Sequence, residues 1–314
     1  MRRVFQAVIV CIGVVVFVYV LFSFIGPEVL ARAILGSARA KPAQIQLTIQ
    51  QYGLNQNIFD QIARAIVRYV HGNFGISAQQ NQPVWQLIKT AMPRSLLLVG
   101  ESTVLAMIVA LPLGVFQVVR RNKASDYTLT SLSFIFYAVP SYLLGTLFIM
   151  GFAIHWHIFD PNIQPSESVA SIATDWKQIS LPVLTLAAGT IAAFSRYMRS
   201  SMMDALTEDY VRTARAKGAS EGRVLFRHAF RNALIPIITL LGLAIPAIAA
   251  GAVLVEDTFN YPGMGLLTVN AATGFDVPLV VGTTIVATVL TVIGSLLADI
   301  LYVIVDPRIR YAHR

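Results

Sequence analysis

Val4 to Ile25 reads VFQAVIVCIGVVVFVYVLFSFI, 22 residues without an Asp, Glu, Lys or Arg. About 20 helical residues at 1.5 Å each cross a hydrocarbon layer of roughly 30 Å, so this stretch is long enough for one transmembrane helix. Five more uncharged runs follow: Ser102 to Val119, Tyr127 to Ile154, Ile179 to Ser195, Ala233 to Val255 and Val277 to Ala298. The second is expected to extend back to about Pro93, and the fourth forward to about Met198. Composition agrees, because 56% of the 314 residues are hydrophobic and 13% charged, with a mean hydropathy of +0.66. A soluble domain carries about 25% charged residues, so this chain has roughly half the charge needed to cover a water-facing surface. The expectation is an all-α integral membrane protein with six transmembrane helices, which excludes a soluble enzyme.

Internal Pro112, Pro140 and Pro246 are compatible with spans where neighbouring helices or waters satisfy the freed carbonyls. Arg2 and Arg3 precede the first run, and Ala31-Arg32-Ala33 or Ala38-Arg39-Ala40 mimics a cleavage site. A secretory apolar region has about 7–15 residues, however, so an uncleaved first helix is expected. The single Cys11 excludes an intrachain disulfide and a cysteine metal cluster.

Charge placement gives orientation. With the N-terminus in the cytoplasm, the inside segments are 1–3, 120–126, 196–232 and 306–314, and they hold 16 of the 24 Lys and Arg residues. The positive-inside rule selects this arrangement, with both termini cytoplasmic. The net charge of +8 is therefore a property of inside loops and does not point to nucleic acid.

Outside the bilayer, Ile58, Ile62, Ile66 and Val70 recur every four residues, with Asp60, Arg64 and Arg68 on another face and Asp60 spaced to pair with Arg64. This predicts an amphipathic helix ended by Gly72, which either packs on the spans or docks an external protein. Pro83 to Thr90 reads as a second short helix. Inside, Asp204 to Lys217 predicts a helix ended by Gly218, and Ser220-Glu221 starts another. Arg212, Arg215, Lys217, Arg223, Arg227, His228 and Arg231 alternate with Tyr210, Val211, Ala214, Val224, Leu225, Phe226 and Phe230. A solvated basic loop facing anionic lipid is one reading. Regular apolar interleaving favours a helix pair that inserts into another protein's groove.

No phosphate-cradling Gly-x-x-x-x-Gly-Lys-Ser/Thr, His-Glu-x-x-His or Gly-x-Ser-x-Gly motif occurs. His155 and His157 flank Trp156 near Asp160, where interface anchoring outweighs a metal site. Glu101 and Asp299 are charges within spans and hence functional candidates, as helix–helix partners or as linings of a transport path.

The run Asp209-Tyr210-Val211-Arg212-Thr213-Ala214-Arg215-Ala216-Lys217-Gly218, continued by Arg227-His228-Ala229 and Arg231-Asn232-Ala233-Leu234-Ile235-Pro236, resembles the cytoplasmic coupling motif, or EAA loop, of ABC importer permeases. Arg212-Thr213-Ala214 stands at the Glu-Ala-Ala positions, as in the dipeptide, oligopeptide and nickel branch. Gly72-Asn73-Phe74-Gly75 before Pro83-Val84 is similar to that branch's Gly-Asp-Leu-Gly segment. Val255-Glu256-Asp257-Thr258-Phe259 with Tyr261-Pro262-Gly263-Met264-Gly265, and Asp299-Ile300-Leu301-Tyr302 with Asp306-Pro307-Arg308-Ile309-Arg310-Tyr311, resemble its later segments. Gly26-Pro27-Glu28 departs from the branch's Pro-Gly-Asp-Pro.

The resemblance implies a type I ABC importer permease fold and the first, "B-type", permease of a heterodimeric pair in a bacterial or archaeal inner membrane. It implies an N-terminal helix and external helical segment over 1–92, a five-helix core over 93–306 containing the coupling loop 202–232, and a cytoplasmic tail over 307–314. Expected partners are a homologous second permease, two ABC ATPases, an external substrate-binding protein, a peptide substrate and the lipid bilayer, with no nucleic acid. No cofactor is expected in this chain, since ATP and Mg belong to the ATPases, and catalytic and metal residues are expected to be absent. The residues implied for ATPase coupling are Tyr210, Arg212, Thr213, Ala214, Lys217, Gly218, Val224, Phe226 and Arg227. Nickel chelates, glutathione and oligosaccharides are alternative cargoes; an ion-coupled carrier or a membrane scaffold are alternatives of another class.

Overall fold

The computed structural model describes residues 2–35, 40–160 and 168–305, and within them the side chains other than those of 2–4, 7, 239, 241–251, 297–299 and 301–305. Regular structure among the described residues is helical, and one antiparallel pairing of Ile76 with Pro83 is the only β-type contact there. In chain order the helices are α1 (Arg2–Ser23), α2 (Pro27–Ile34), α3 (Pro42–Tyr52), α4 (Ile58–Val70), α5 (Val84–Val119), α6 (Ala124–Ala138), α7 (Ser141–Phe148), α8 (Val169–Thr174), α9 (Trp176–Thr207), α10 (Asp209–Ala216), α11 (Glu221–Arg223), α12 (Phe230–Thr258), α13 (Met264–Thr273) and α14 (Val277–Val305). Ile149–His155 and Val224–Ala229 are π-helical.

By length and apolar composition, α5, α9 and Val277–Leu296 of α14 can each cross a membrane. Two bent pairs also qualify: Val8–Ser23 with Pro27–Ile34, at 100°, and Ala124–Ala138 with Ser141–His155, at 104°. The third uncharged run is therefore not one straight helix, as its sequence suggested. Pro140 disfavours the helical conformation of the residue before it, and Val139 is extended at φ −73°, ψ 126°. A second correction concerns α5, which absorbs both the short helix expected over Pro83 to Thr90 and the second apolar run in 36 continuous residues, about 54 Å of helix. Pro93 within it removes one backbone donor, which costs the helix one hydrogen bond without ending it here.

The chain forms two compact units. The first comprises residues 1–95 and 262–293. In it α1 packs on α4 and α2 on α3, and Val15, Val18, Ala65, Ile88, Leu279 and Val281 share one core. The amphipathic helix expected over 58–70 is α4, capped at its start by Asn57 Oδ1, which accepts from Phe59 N–H at 3.0 Å. Ile62, Ala65, Ile66 and Tyr69 face inward, whereas Val70 is exposed. Arg64 Nε donates to the Asp60 main-chain oxygen at 3.1 Å rather than to its carboxylate. Burial first, then Tyr19, raises the Tyr69 hydroxyl well above the usual tyrosine range, so it stays neutral.

The second unit comprises residues 96–261 and 294–314. Its central element is α9, which packs on α6, α7 and α12. Leu181, Leu186, Val255 and Phe259 form one cluster, and Val115, Phe194, Met198 and Met202 another.

Candidate functional site

The segment joining α9 to α12 has a small core of its own. Glu208 leaves α9 with extended geometry, φ −68° and ψ 151°, and opens α10. The helix expected over Asp204 to Lys217 is thus split at Glu208. Asp209 in the first turn and Arg215 in the last complement the dipole of α10. At its end Gly218 takes φ +81°, Gly218 N–H donates to Arg215 O at 2.9 Å and Ala219 N–H to Ala214 O at 3.1 Å. These two bonds are a Schellman cap, which satisfies the last carbonyls and reverses the chain. Ser220 has extended N-cap geometry, but its side chain makes no capping bond. The second short helix expected here continues without interruption, through the π-helical Val224–Ala229, into α12. π-Helical turns recur at functional sites.

Val211, Ala214 and Val224 are buried together, with Leu206, Tyr210 and Ala219 against them. Ala214 and Val224 therefore hold the turn closed from within. Arg212, Thr213, Lys217, Gly218 and Arg227 point to solvent, and Tyr210 is half-buried. Arg212 Nη1 lies 3.3 Å from Asp209 Oδ1, and Thr213 Oγ1 donates to Asp209 O at 2.9 Å. Arg215 spans the Gly218 turn to Glu221, with Nε···Oε1 3.0 Å and Nη2···Oε2 3.1 Å. Phe226 is 62% exposed, and with Leu225 and Phe230 it lines an apolar groove shared with Met107, Leu111 and Phe116 of α5.

Three polar contacts join α6 to α9, and none was foreseen from sequence spacing. Buried Asp126 accepts from Arg199 Nε at 3.0 Å and Nη2 at 2.9 Å, and from Asn122 N–H at 3.2 Å. Ser133 Oγ and Ser195 Oγ lie 3.5 Å apart. The Arg196 guanidinium sits over the rings of Tyr137 and Phe134, at 4.4 Å and 4.8 Å from their centroids. Partners 59 to 73 residues apart leave no local signature.

Glu101 is half-buried on α5, without a hydrogen bond or ion pair among the described residues, while the Asp299 side chain and residues 306–314 lie outside them. His155 closes the π-helical stretch after α7, its ring 6.3 Å from that of Trp156. Among the described residues, no three His, Cys, Asp or Glu side chains converge as a metal site.

In the first unit, fully buried Asp276 organises the loop before α5. It accepts from Ser77 Oγ at 2.5 Å and Gln79 N–H at 3.2 Å through Oδ2, and from Leu279 N–H at 3.3 Å through Oδ1. The last bond caps α14. An Asp directly before Val277-Pro278 and an apolar run is a legible N-cap signal, but its loop partners lie about two hundred residues away.

Residues 102–311 match the family described as binding-protein-dependent transport system inner membrane component. The oligopeptide transport system permease protein AppB of Bacillus subtilis is 37% identical over 317 residues, which cover 99% of this chain and 98% of that protein. The dipeptide transport system permease protein DppB of Escherichia coli is 30% identical over 334 residues, covering 99% and 98%. The glutathione transport system permease protein GsiC of Escherichia coli is 34% identical over 291 residues, covering 93% and 92%.

Proposed function

The chain belongs to the family of binding-protein-dependent transport system inner membrane components, and on that premise we propose that it is one permease subunit of an ATP-driven peptide importer. The observation that carries this reading is the exposed edge of α10: Arg212, Thr213, Lys217 and Gly218 face water from a turn whose own core is Val211, Ala214 and Val224. A chain without a phosphate-cradling loop takes its energy from elsewhere, and a preformed turn with a polar outer edge is a handle for it. ATP-driven movement of two cytoplasmic ATPases would displace this turn, and α9 and α12, which flank it, would carry the displacement into the membrane.

The importer reading includes six crossings with both termini inside, which the 16 inside Lys and Arg residues support. A homologous permease completes the pathway, and an external binding protein delivers cargo. No bond is made or broken in this chain. Peptide cargo is supported by relatives named for oligopeptide and dipeptide transport; one named for glutathione keeps that cargo as the second reading. An ion-coupled carrier built on Glu101 and Asp299 is the competing mechanism.

Proteoliposomes holding this chain, its partner permease, both ATPases and the external protein distinguish them. The importer takes up a labelled dipeptide only with internal ATP and the external protein. Uptake by this chain alone, driven by an ion gradient, would replace the importer with the carrier.

A further inference from the structure

Two arginines one turn apart on α9 are in opposite circumstances. Arg199 is neutralised by the two-point contact with Asp126. Arg196 has no carboxylate partner among the described residues: its Nε donates to Ala192 O at 3.2 Å, and its guanidinium lies against Tyr137 and Phe134. Both rings are more than half exposed, at 58% and 54%. An arginine on an apolar helix gives up hydration that a cation–π contact returns only in part. The rings orient the guanidinium without matching what an anion would supply, and its Nη atoms remain a planar fork suited to a carboxylate.

Tyr137 belongs to a second feature. At Pro140 the chain turns by 104°, and the break opens on a cavity of about 320 Å³ lined by Tyr137, Pro140, Ser141, Thr185, Leu186 and Gly189. Non-helical backbone at membrane depth persists only where protein or a watered cavity covers it, and interrupted helices mark substrate sites in transporters. The last carbonyls of α6 and first amides of α7 meet here, groups without helical partners of their own. Gly189 and Arg196 are seven residues apart on α9, about 10 Å of helix, which is the length of about three extended residues.

We propose that the Pro140 cavity and Arg196 form one contact site for cargo in transit, in which Arg196 takes the C-terminal carboxylate of a short peptide and the cavity receives its body. The proposal rests on the importer reading. It assigns Tyr137 and Phe134 as positioning residues that hold the fork toward the cavity.

The test compares uptake of a labelled dipeptide with that of its C-terminal amide in the complete reconstituted importer, for the wild type and for R196Q. The same external protein serves wild type and variant, so its own preference cancels when their acid-to-amide ratios are compared. Loss of a charge-assisted pair lowers that ratio by about tenfold or more, because such a bond is worth roughly 1.5–3 kcal/mol. R196K, which keeps the charge but loses the fork, gives an intermediate ratio and replaces R196Q if that variant does not assemble. Equal loss of acid and amide uptake in these variants overturns the site while leaving the importer standing. A ratio that changes when anionic lipid is exchanged for phosphatidylcholine assigns Arg196 to a headgroup phosphate and also overturns it. Failure of the wild type to import either peptide removes the importer reading itself.

Discussion

Gly72 and Gly218 end helices in the same way, yet the chain that follows each is held very differently. Gly72 has φ +73°, with Gly72 N–H on Tyr69 O and Asn73 N–H on Arg68 O, both at 3.0 Å; Gly218 repeats the pattern at φ +81°. After Gly72 the loop is fastened to a fully buried carboxylate, Asp276, by Ser77 and Gln79. After Gly218 the turn is held by an exposed Arg215–Glu221 pair and three small apolar residues. A local cap therefore sets the direction of the chain, and its long-range partners set how firmly the turn is held. The first turn is tied to a buried carboxylate, while the second is held by contacts within its own segment, as its proposed coupling role requires.

The largest effect expected from breaking this contrast is that of D276A. It orphans the Ser77 hydroxyl and the Gln79 and Leu279 amides inside the protein, at a cost of about 3 kcal/mol. The thermal midpoint of the purified protein falls, and amide exchange over 76–82 accelerates; protected amides in the variant would mean that the loop is not held by Asp276.

Next in size are G218V and G72V, each forcing a β-branched residue into the left-handed region at about 1–2 kcal/mol. No neighbouring atom lies within 4 Å of an added Cβ at either position, so the cost is conformational. The stability losses should match, but substrate-stimulated ATP hydrolysis by the reconstituted complex should fall only for G218V. Unchanged coupling with normal assembly would remove the proposed role of the Gly218 turn in coupling.

The smallest effect belongs to R215A. Its partner contact is in water, where ion pairs contribute little, so the unfolding midpoint should not move measurably. Glu221 raises the Arg215 pKa further, which leaves its charge unchanged at any physiological pH. A clear drop in the midpoint would show that the coupling turn depends on this pair more than on its apolar core.

Much of this contrast was legible in the sequence because it is local. Glycine after a periodic run marks a left-handed cap, and both caps formed where the sequence put them. The inward stripe of α4 followed from its spacing at Ile62 and Ile66, while Val70 is exposed and Ala65 and Tyr69 complete the face, and the uncharged runs fall in helices or bent pairs. Partner choice was less legible. Asp60 and Arg64 had the right spacing for a side-chain pair, but the guanidinium found the nearer main-chain oxygen. Pro140 lies in an unbroken apolar run, and hydropathy does not register a backbone bend. Asp126 and Arg199 are 73 residues apart, and nothing near either indicates the other. For the residues proposed for coupling, spacing did not give the division into an exposed outer edge and a buried core.

That division gives the most direct test of the central claim, that the outer edge of α10 meets the ATPase. In a C11S background, T213C, K217C, V211C and V224C would each carry a thiol-reactive photocrosslinker in the assembled complex. Adducts with the ATPase are expected at T213C and K217C and not at V211C or V224C. Adducts only at the buried positions, or none at T213C and K217C in a complex that still imports, would contradict the account.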